Sequence, residues 1–257
     1  MNQSSLDDSV YNRGVVIIGA TSSVAHAVAR CFAAEGYSLL LAARNLVEAE
    51  RNAKDLSVRY GISVKTIAFD AMDTHTHESF FNQCMEEMGQ RIAGVVWAVG
   101  SMEPQEQAQR DAISAQRIFI SNYTSAVTIL ERFSAHFERE ERGFICALSS
   151  VAGDRGRMSN YIYGSAKAGL TTYLQGLRHR LYHKGVHVTT IKPGFMDTKM
   201  TYGMGLRGAL SPEKAGRSIY NAVRRKRNVV YIPWPWRYIM LILIHIPEFV
   251  FKRMKAF

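Results

Sequence analysis

The sequence predicts a doubly wound α/β fold, in which helices cover both faces of a parallel sheet. Short apolar runs rich in β-branched residues alternate with helix-favouring stretches from the beginning of the chain. The first run, GVVIIG (14–19), leads into TSSVAHAVARCFAAEG, a predicted helix with Gly36 as its C-cap. Such alternation is typical of right-handed βαβ units. The further predicted strands are YSLLLAAR (37–44), VKTIAF (64–69), GVVWAVG (94–100), GFICALS (143–149) and VHVTTIK (186–192).

Size and composition suit one domain. The chain has 257 residues, of which 47% are hydrophobic and 21% charged, as in ordinary globular proteins. No Pro-rich or Ser-rich linker and no internal repeat interrupts it. We therefore expect a polar N-terminal tail at 1–13, one Rossmann-like domain at 14–235, and an apolar, basic C-terminal segment at 236–257.

The cysteines and the N-terminus indicate the compartment. Cys31, Cys84 and Cys146 lie far apart without a CxxC pair, which favours thiols in a reducing compartment over a disulfide frame or a metal site. The first residues, MNQSSLDDSVYNR, are polar and acidic, whereas a signal peptide begins basic and continues apolar. These features predict a cytoplasmic protein without a metal.

Positive charge is concentrated near the C-terminus. The net charge is +10, and residues 217–257 hold nine Lys or Arg against one acid, Glu248. Nucleic acid, an anionic membrane or a phosphorylated substrate would each explain such a basic region.

The turn after the first strand is a candidate dinucleotide site. Gly19 allows a tight turn, and the small side chains after it let backbone N–H groups approach a diphosphate at a helix N-terminus. Ser23 and Ala25 stand where the glycine-rich patterns have glycine, so an ordinary, well-capped βα turn is an equal alternative. The candidate cofactor-binding residues here are Gly19, Thr21, Ser22, Ser23 and Val24.

Tyr163 and Lys167 form a candidate acid–base pair. Of the 12 tyrosines, only Tyr163 has a lysine four residues later, a spacing that places both side chains on one helix face. The lysine charge, together with an oxidised nicotinamide ring, would lower the phenol pKa from about 10 and allow proton exchange with a carbonyl or alcohol oxygen. A surface tyrosine beside a solvated lysine is the structural alternative.

Neighbouring motifs decide between these interpretations. Ser150 lies at the end of the predicted strand GFICALS (143–149), thirteen residues before Tyr163. Asn122 lies on the long predicted helix that precedes this strand. SSVAG (149–153), YGSAK (163–167) and KPG (192–194), which runs on to Thr198, share one order and spacing with a known family. The chain resembles the short-chain dehydrogenase/reductase family over residues 14–200.

The resemblance implies a role for each catalytic residue. Tyr163 is the general acid for ketone reduction, and Lys167 lowers its pKa and holds the nicotinamide ribose. Ser150 donates a hydrogen bond to the substrate carbonyl. Asn122 positions a water that relays protons to Lys167. The spacing to Tyr163 and its lysine favours Ser150 and Tyr163 over their neighbours Ser149 and Tyr161.

The resemblance also implies cofactor contacts. Pro193, Gly194 and Thr198 line the nicotinamide and diphosphate, and Asp70 contacts the adenine. Trp97-Ala98-Val99-Gly100 replaces the family's N-N-A-G, which leaves Ala98 and Gly100 as the expected contacts there. This departure, and the absence of two glycines from the turn after the first strand, affect the expected contacts with adenosine and diphosphate. Neither changes the catalytic residues.

The residues at the end of the second predicted strand indicate which cofactor binds. Its end, Ala42-Ala43-Arg44-Asn45, offers no acid for a ribose 2′-hydroxyl, whereas Arg44 is placed to bind a 2′-phosphate. We therefore expect NADP to be favoured over NAD. A solvated arginine opening the next helix is the alternative.

A narrower resemblance concerns the substrate. The chain is similar to the decaprenylphosphoryl-2-keto-erythro-pentose reductases in F-D-A-x-D (69–73), N-Y-T-x-A-V (122–127), R-x-x-N-Y-x-Y-G-S (157–165) and parts of the C-terminal segment. That resemblance implies reduction of a polyprenylphosphoryl 2-keto pentose to the arabinose form, beside a flavin-dependent oxidase that supplies the keto intermediate. The same relatives are associated with NADH, which opposes the interpretation of Arg44.

The C-terminal segment combines Trp, Tyr and aliphatic residues with flanking cations. Its uncharged run, 238–247, is about half of the ~20 residues that a spanning helix needs. It suits the interface of an anionic membrane on the cytoplasmic side, or packing on the core or on a second subunit of a homo-oligomer. Nucleic acid is not expected, because the segment is apolar and lacks a reading motif.

Other functions remain open at this point. One is a reductase of another apolar ketone, of the 3-oxoacyl, steroid or retinoid type. Non-catalytic alternatives are a dinucleotide sensor and a membrane-tethered scaffold, which the presence of both Tyr163 and Lys167 disfavours. The glycine-rich stretch 200–211, with Met204 and Leu206, is expected to form either a mobile lid over an apolar substrate or a surface loop.

Overall fold

The computed structural model describes residues 13–89, 91–198 and 209–254. Its centre is one seven-stranded sheet in the order β3-β2-β1-β4-β5-β6-β7, with every neighbouring pair parallel. The strands are β1 (Gly14–Ile18), β2 (Ser38–Ala43), β3 (Val64–Ala68), β4 (Ile92–Trp97), β5 (Phe144–Leu148), β6 (His187–Pro193) and β7 (Val229–Ile232). The prediction of a doubly wound α/β fold is confirmed.

Helices cover both faces of the sheet. They are α1 (Ser23–Ala34), α2 (Leu46–Tyr60), α3 (His77–Glu87), α4 (Gln105–Ala108), α5 (Ala112–Phe119), α6 (Ser125–Glu140), α7 (Tyr161–Leu181), α8 (Pro212–Arg224), α9 (Trp236–His245) and α10 (Glu248–Phe251). Val16 and Ile18 of β1 pack among residues of α3, α6 and α7, whereas Val15 and Ile17 pack among residues of α1, α2 and α8. Burial on both faces explains why β1 is an uninterrupted apolar run.

Three details differ from the predicted elements. β7 was not predicted, because it is four residues long and mostly half-buried or exposed at the sheet edge. β4 ends at Trp97, so Ala98 and Gly100 follow the strand rather than belong to it. Asn122 lies in a π-helical segment, Ile120–Thr124, between α5 and α6 instead of within one regular helix. The N-terminal tail up to residue 12, and Met204 and Leu206 of the expected lid, lie outside the described residues.

The C-terminal segment packs on the fold with one face. Met240 and Leu243 of α9 are buried and contact Val151, the neighbour of Ser150. Arg155 fixes the same segment, since its guanidinium pairs with Glu248 at 2.7 Å and lies 4.2 Å from the Phe251 ring centre. Core packing, one of the two expected roles, therefore accounts for this face of the segment. Within the described ranges, no helix has both the length and the apolar character to cross a membrane.

Candidate active site

The predicted site residues converge at the carboxyl edge of the sheet. Strand order reverses between β1 and β4, and ligands of open α/β sheets bind in the crevice at such a point. The Ala98 N–H donates to the Ile18 carbonyl at 2.8 Å, which holds the ends of these two strands together. Ser150 follows the carboxyl end of the adjacent strand β5, and Pro193 ends β6. The topology thus assembles residues from across the chain into one crevice.

The Ser150 hydroxyl interacts with the Tyr163 phenol and favours its ionised form. Ser150 caps the short 3-10 turn Val151–Gly153, and its Oγ accepts the Ala152 N–H at 3.1 Å. Tyr163 lies in the first turn of α7. Because the Ser150 hydroxyl also faces the phenol, one ketone oxygen can contact both groups.

Burial dominates the acidity of Tyr163. Desolvation raises the pKa of this phenol to about 12, and the hydrogen bond from Ser150 lowers it only in part. Lys167 Nζ lies 5.8 Å from the centre of the Tyr163 ring. The protein alone therefore does not produce the expected lowering of the phenol pKa, because burial outweighs the interaction with Ser150. The part of that expectation that depends on an oxidised nicotinamide stays a prediction.

Lys167 is 3% exposed, and burial lowers its pKa to about 7. Its Nζ donates to the Leu148 carbonyl at 3.0 Å. A buried ammonium with a pKa near neutrality can hold or release a proton at little energetic difference. This property suits a proton reservoir behind the phenol.

Asn122 is fully buried beside Lys167. Its Nδ2 donates to the carbonyls of Ser101 at 2.7 Å and Ile118 at 2.8 Å, whereas its Oδ1 has no hydrogen-bond partner among the described residues. A methyl group on Gly100 would lie 3.0 Å from this Oδ1 and 3.3 Å from Lys167 Nζ, so both atoms border one small space. A buried carbonyl oxygen and an ammonium around such a space are suitable partners for a water molecule.

The neighbours Ser149 and Tyr161 have structural surroundings instead. Ser149 Oγ donates to the Lys167 carbonyl at 3.0 Å and is 2.7 Å from Thr171 Oγ1, which joins the end of β5 to α7. Tyr161 is 43% exposed, and its hydroxyl donates to Gln109. The contact between the end of β5 and α7 is also closely packed, since a Cβ atom at Gly164 would lie 2.7 Å from the Ala152 carbonyl oxygen.

The turn after β1 has the shape that a dinucleotide requires. Gly19 has φ +86°, and a side chain there would lie 2.9 Å from the backbone of Ala98. Ser22 caps α1 by accepting the Ala25 N–H at 3.1 Å. The first amides of a helix have no intrahelical acceptor, so those of Ser23 and Val24 are available to a diphosphate. Thr21 is half-buried in the same turn. The described residues therefore fit a nicotinamide dinucleotide here.

The residues expected around the adenosine are exposed. Arg44 follows β2, and the next residue, Asn45, caps α2. Asp70 follows β3, and its Oδ1 accepts the Met72 N–H at 2.9 Å. Both side chains lie at the carboxyl edge of the sheet, on the side of β1 away from the catalytic residues.

At the other end of the crevice, Gly194 directly contacts α9. The Trp236 indole lies against the Gly194 backbone and leaves no room for a side chain there. Trp236 also meets the Phe195 ring edge-on, with the ring centres 5.5 Å apart. Thr198 is the last described residue before the undescribed stretch 199–208.

Sequence reasoning missed a buried ion pair behind the serine loop. Lys192 pairs with Asp154, and both side chains are at most 9% exposed. The Tyr231 hydroxyl donates to the same carboxylate at 2.8 Å. This network fixes the loop after Ser150 to β6 and β7. The residues are 38 and 77 positions apart in sequence, so no local pattern could have shown the contact.

Comparison with known proteins identifies the family. The family model described as short chain dehydrogenase matches residues 13–205. A relative from Mycobacterium tuberculosis, named an uncharacterised oxidoreductase, is 36% identical over 241 residues, which are 93% of this chain and 96% of the relative.

Solved structures share the fold at low identity. A short-chain dehydrogenase from Sphingobium yanoikuyae in complex with NADPH superposes with a TM-score of 0.81 at 22% identity, covering 95% of this chain and 97% of that one. The bulky-bulky ketone specific alcohol dehydrogenase from Comamonas testosteroni gives a TM-score of 0.79 at 22% identity, covering 91% and 95%.

The chain belongs to the short-chain dehydrogenase/reductase family. It is an NAD(P)-dependent oxidoreductase with a Rossmann-like fold.

Proposed function

We propose that this protein reduces a ketone with NADPH, using Tyr163 as the proton donor. The observation that carries the proposal is the arrangement of half-buried Ser150 and Tyr163 with buried Lys167, beside a turn that fits a dinucleotide. NADPH, when bound, supplies the hydride. The protein orients the carbonyl and provides the proton.

Each side chain has one task in this scheme. The Ser150 hydroxyl donates a hydrogen bond to the carbonyl oxygen and stabilises the negative charge that develops there. Tyr163 transfers its phenolic proton to the same oxygen, which becomes the alcohol. Lys167 returns a proton to the phenolate, and a water held by Asn122 Oδ1 recharges the lysine. The lysine pKa of about 7 supports this last step, since the group releases and accepts protons readily near neutral pH.

The proposed substrate is a polyprenylphosphoryl 2-keto pentose, which is reduced to the arabinose form. Support comes from the sequence stretches shared with reductases of that type, including R-x-x-N-Y-x-Y-G-S at 157–165. Those reductases act beside a flavin-dependent oxidase, which we propose as the source of the keto intermediate.

The C-terminal segment supports a lipid-linked substrate. Of the eighteen exposed large apolar side chains among the described residues, eight lie within residues 234–250. We call this set the C-terminal apolar face: Trp234, Tyr238, Ile239, Leu241, Ile242, Ile244, Phe249 and Val250. On the opposite face, Met240 and Leu243 contact Val151 beside the catalytic serine.

An anionic membrane surface is the proposed partner of this face. Arg237, Lys252 and Arg253 are exposed around it, and the one acid of the segment, Glu248, is already paired with Arg155. Aromatic and aliphatic groups flanked by cations are typical of interfacial helices. In a symmetric pair of chains, the same cations would approach each other and oppose association.

NADP is the proposed cofactor in preference to NAD. Arg44 is exposed where β2 ends, and no carboxylate takes its place in the Ala42–Asn45 stretch. A guanidinium there binds a 2′-phosphate well, whereas the ribose 2′-hydroxyl of NAD is ordinarily bound by an acid.

The direct test of this function is reduction of the lipid-linked 2-keto pentose in mixed detergent micelles, measured as loss of NADPH absorbance. Turnover that depends on both substrates is the expected result. Cyclohexanone and a 3-oxoacyl thioester serve as comparison ketones. Equal or faster turnover of either one would refute the proposed substrate, and no turnover of any ketone would refute the reductase itself.

A further inference from the structure

Two arginines near the catalytic serine have different surroundings. Arg155 is fully engaged: it donates to the Ile244 carbonyl at 3.1 Å, pairs with Glu248 and stacks on Phe251. Arg157, two residues later, is half-buried, and its Nε is buried without a hydrogen-bond partner among the described residues. Desolvation lowers the pKa of the Arg157 guanidinium. A buried donor without a partner is unusual in a native fold and requires a partner such as a water or a ligand.

The acid nearest to Arg157 does not satisfy it. Asp154 is the one carboxylate among the described residues that stabilises the Arg157 charge. Both oxygens of Asp154 are already occupied, one by Lys192 and the other by Tyr231. The positive charge of Arg157 therefore has no carboxylate of its own to pair with among the described residues.

Two further polar side-chain atoms near the start of α7 have no partner among the described residues. Asn160, whose N–H donates to the Arg157 carbonyl at 3.1 Å, has a buried Oδ1 without a hydrogen bond to any described residue. Gln105 accepts the Ile162 N–H at 3.1 Å, and its buried Nε2 is likewise unpaired within the described ranges. A cation, an amide donor and an amide acceptor thus surround the start of α7.

The position of these groups relates them to the substrate. Arg157 and Asn160 lie in the segment between Ser150 and the start of α7 at Tyr161, two residues before Tyr163. The guanidinium therefore belongs to the segment that joins the two groups of the proposed catalytic centre.

We propose that Arg157 binds an oxyanion of phosphate type carried by the substrate, with Gln105 Nε2 and Asn160 Oδ1 hydrogen-bonding the polar groups next to it. This proposal rests on the reductase function above and specifies its substrate as an anionic ketone. Arginine suits the task because its planar guanidinium offers paired donors to phosphate oxygens.

Binding of a phosphorylated ketone tests the proposal without requiring turnover. The full-length protein is saturated with NADP⁺, so that the cofactor phosphates occupy their own site. Dihydroxyacetone phosphate is then titrated, with the ³¹P signal of its monoester as the readout, and dihydroxyacetone serves as the unphosphorylated comparison in calorimetry.

The expected result is a loss of affinity for the phosphorylated ketone of about tenfold or more in Arg157→Gln, as for a charge-assisted hydrogen bond. Arg157→Lys should restore part of the affinity. Arg110→Gln is the matched control, because it removes an exposed cation next to Gln109, which contacts Tyr161. That control should bind like the wild type.

Unchanged affinity in Arg157→Gln would overturn the proposal. An equal loss in Arg110→Gln would also overturn it, since general charge would then explain the effect. Circular dichroism and the Tm of each variant identify a folding defect, and in that case the partial rescue by Arg157→Lys decides. Failure of the proposed reductase would appear separately, as absence of NADPH oxidation with every ketone.

Discussion

In the catalytic centre, polar groups are buried: Lys167 is 3% exposed and Asn122 is fully enclosed. In the C-terminal segment the reverse holds, since Ile242 is 67% exposed and Tyr238 is 58% exposed. Both regions depart from the usual division of a globular protein into an apolar interior and a polar surface. The two departures also adjoin, because α9 packs on the residue after Ser150.

Each of the two regions has an energetic cost that the folded chain alone does not offset. A buried ammonium loses hydration that its one hydrogen bond to the Leu148 carbonyl restores only in part. An exposed apolar face orders water that a partner would release. We relate each unfavourable feature to a proposed partner, a water that relays protons in one case and an apolar surface in the other.

Replacing the Tyr163 hydroxyl is expected to have the largest effect. Tyr163→Phe should lower kcat by about 10³-fold, because the proton donor to the reacting oxygen is lost, while the Kd for NADPH stays nearly the same. Tyr161→Phe is the matched control on the exposed neighbour and should retain activity. A Tyr163→Phe enzyme with more than about a tenth of wild-type turnover would exclude this residue as the proton donor.

The C-terminal apolar face can be tested without disturbing the fold. Leu241 and Ile242 are 52% and 67% exposed, so the double change to Gln should leave the packing of Met240 and Leu243 intact. Binding to vesicles with anionic lipid should fall about tenfold or more, because each side chain contributes roughly 1.5–3 kcal/mol on burial. Cosedimentation measures this binding.

A matched control for that experiment lies on α2. Val47 and Val58 are 68% and 81% exposed, and changing both to Gln removes similar apolar surface elsewhere. The control should bind vesicles like the wild type. If the wild type ignores anionic vesicles, and the Leu241/Ile242 variant instead alters the sedimentation coefficient, the face belongs to a second copy of the chain.

Arg44→Ala should weaken NADPH binding by about tenfold and leave NADH binding unchanged, because only NADPH carries the 2′-phosphate. Fluorescence titration gives both Kd values. Arg51→Ala, at an exposed position of α2, controls for loss of general charge. Equal or tighter binding of NADH by the wild type, with no effect of Arg44→Ala, would contradict the preference for NADP.

The smallest expected effect concerns stability and pH. The folded-state pKa of Lys167 is about 7, below its ordinary value of 10.5. Between these values the unfolded chain binds the proton more often, so the free energy of unfolding rises with pH by at most about 1.4 kcal/mol per pH unit from this group. Below pH 7 both states are protonated, and the penalty of burying the charge is fully present.

Lys167→Met removes that pH-dependent contribution. The difference in Tm between variant and wild type should therefore favour the variant most near pH 6.5 and shrink by up to a few degrees per pH unit towards pH 9.5. Thermal unfolding at a series of pH values measures the difference. A constant difference across this range would show that the Lys167 pKa is not depressed.

The sequence alone determined the fold class and the positions along the chain of six of the seven described strands. Continuous β-branched runs such as 14–19 are a local signal, because a strand buried on both faces must be apolar along its whole length. The catalytic candidates were also accessible, since thirteen residues separate Ser150 from Tyr163 and four more lead to Lys167. Such short spacings can be recognised in the sequence, because the residues lie on one strand, the loop after it and the helix that follows.

Only the tertiary structure decided what surrounds that centre. Asp154, Lys192 and Tyr231 meet across separations of 38 and 77 residues, and Trp236 reaches Gly194 across the undescribed stretch 199–208. Such contacts depend on sheet order and helix packing, which no local periodicity encodes. The raised pKa of Tyr163 has the same origin, because desolvation is a sum over every neighbour that the fold brings near and not a property of the Tyr-x-x-x-Lys spacing.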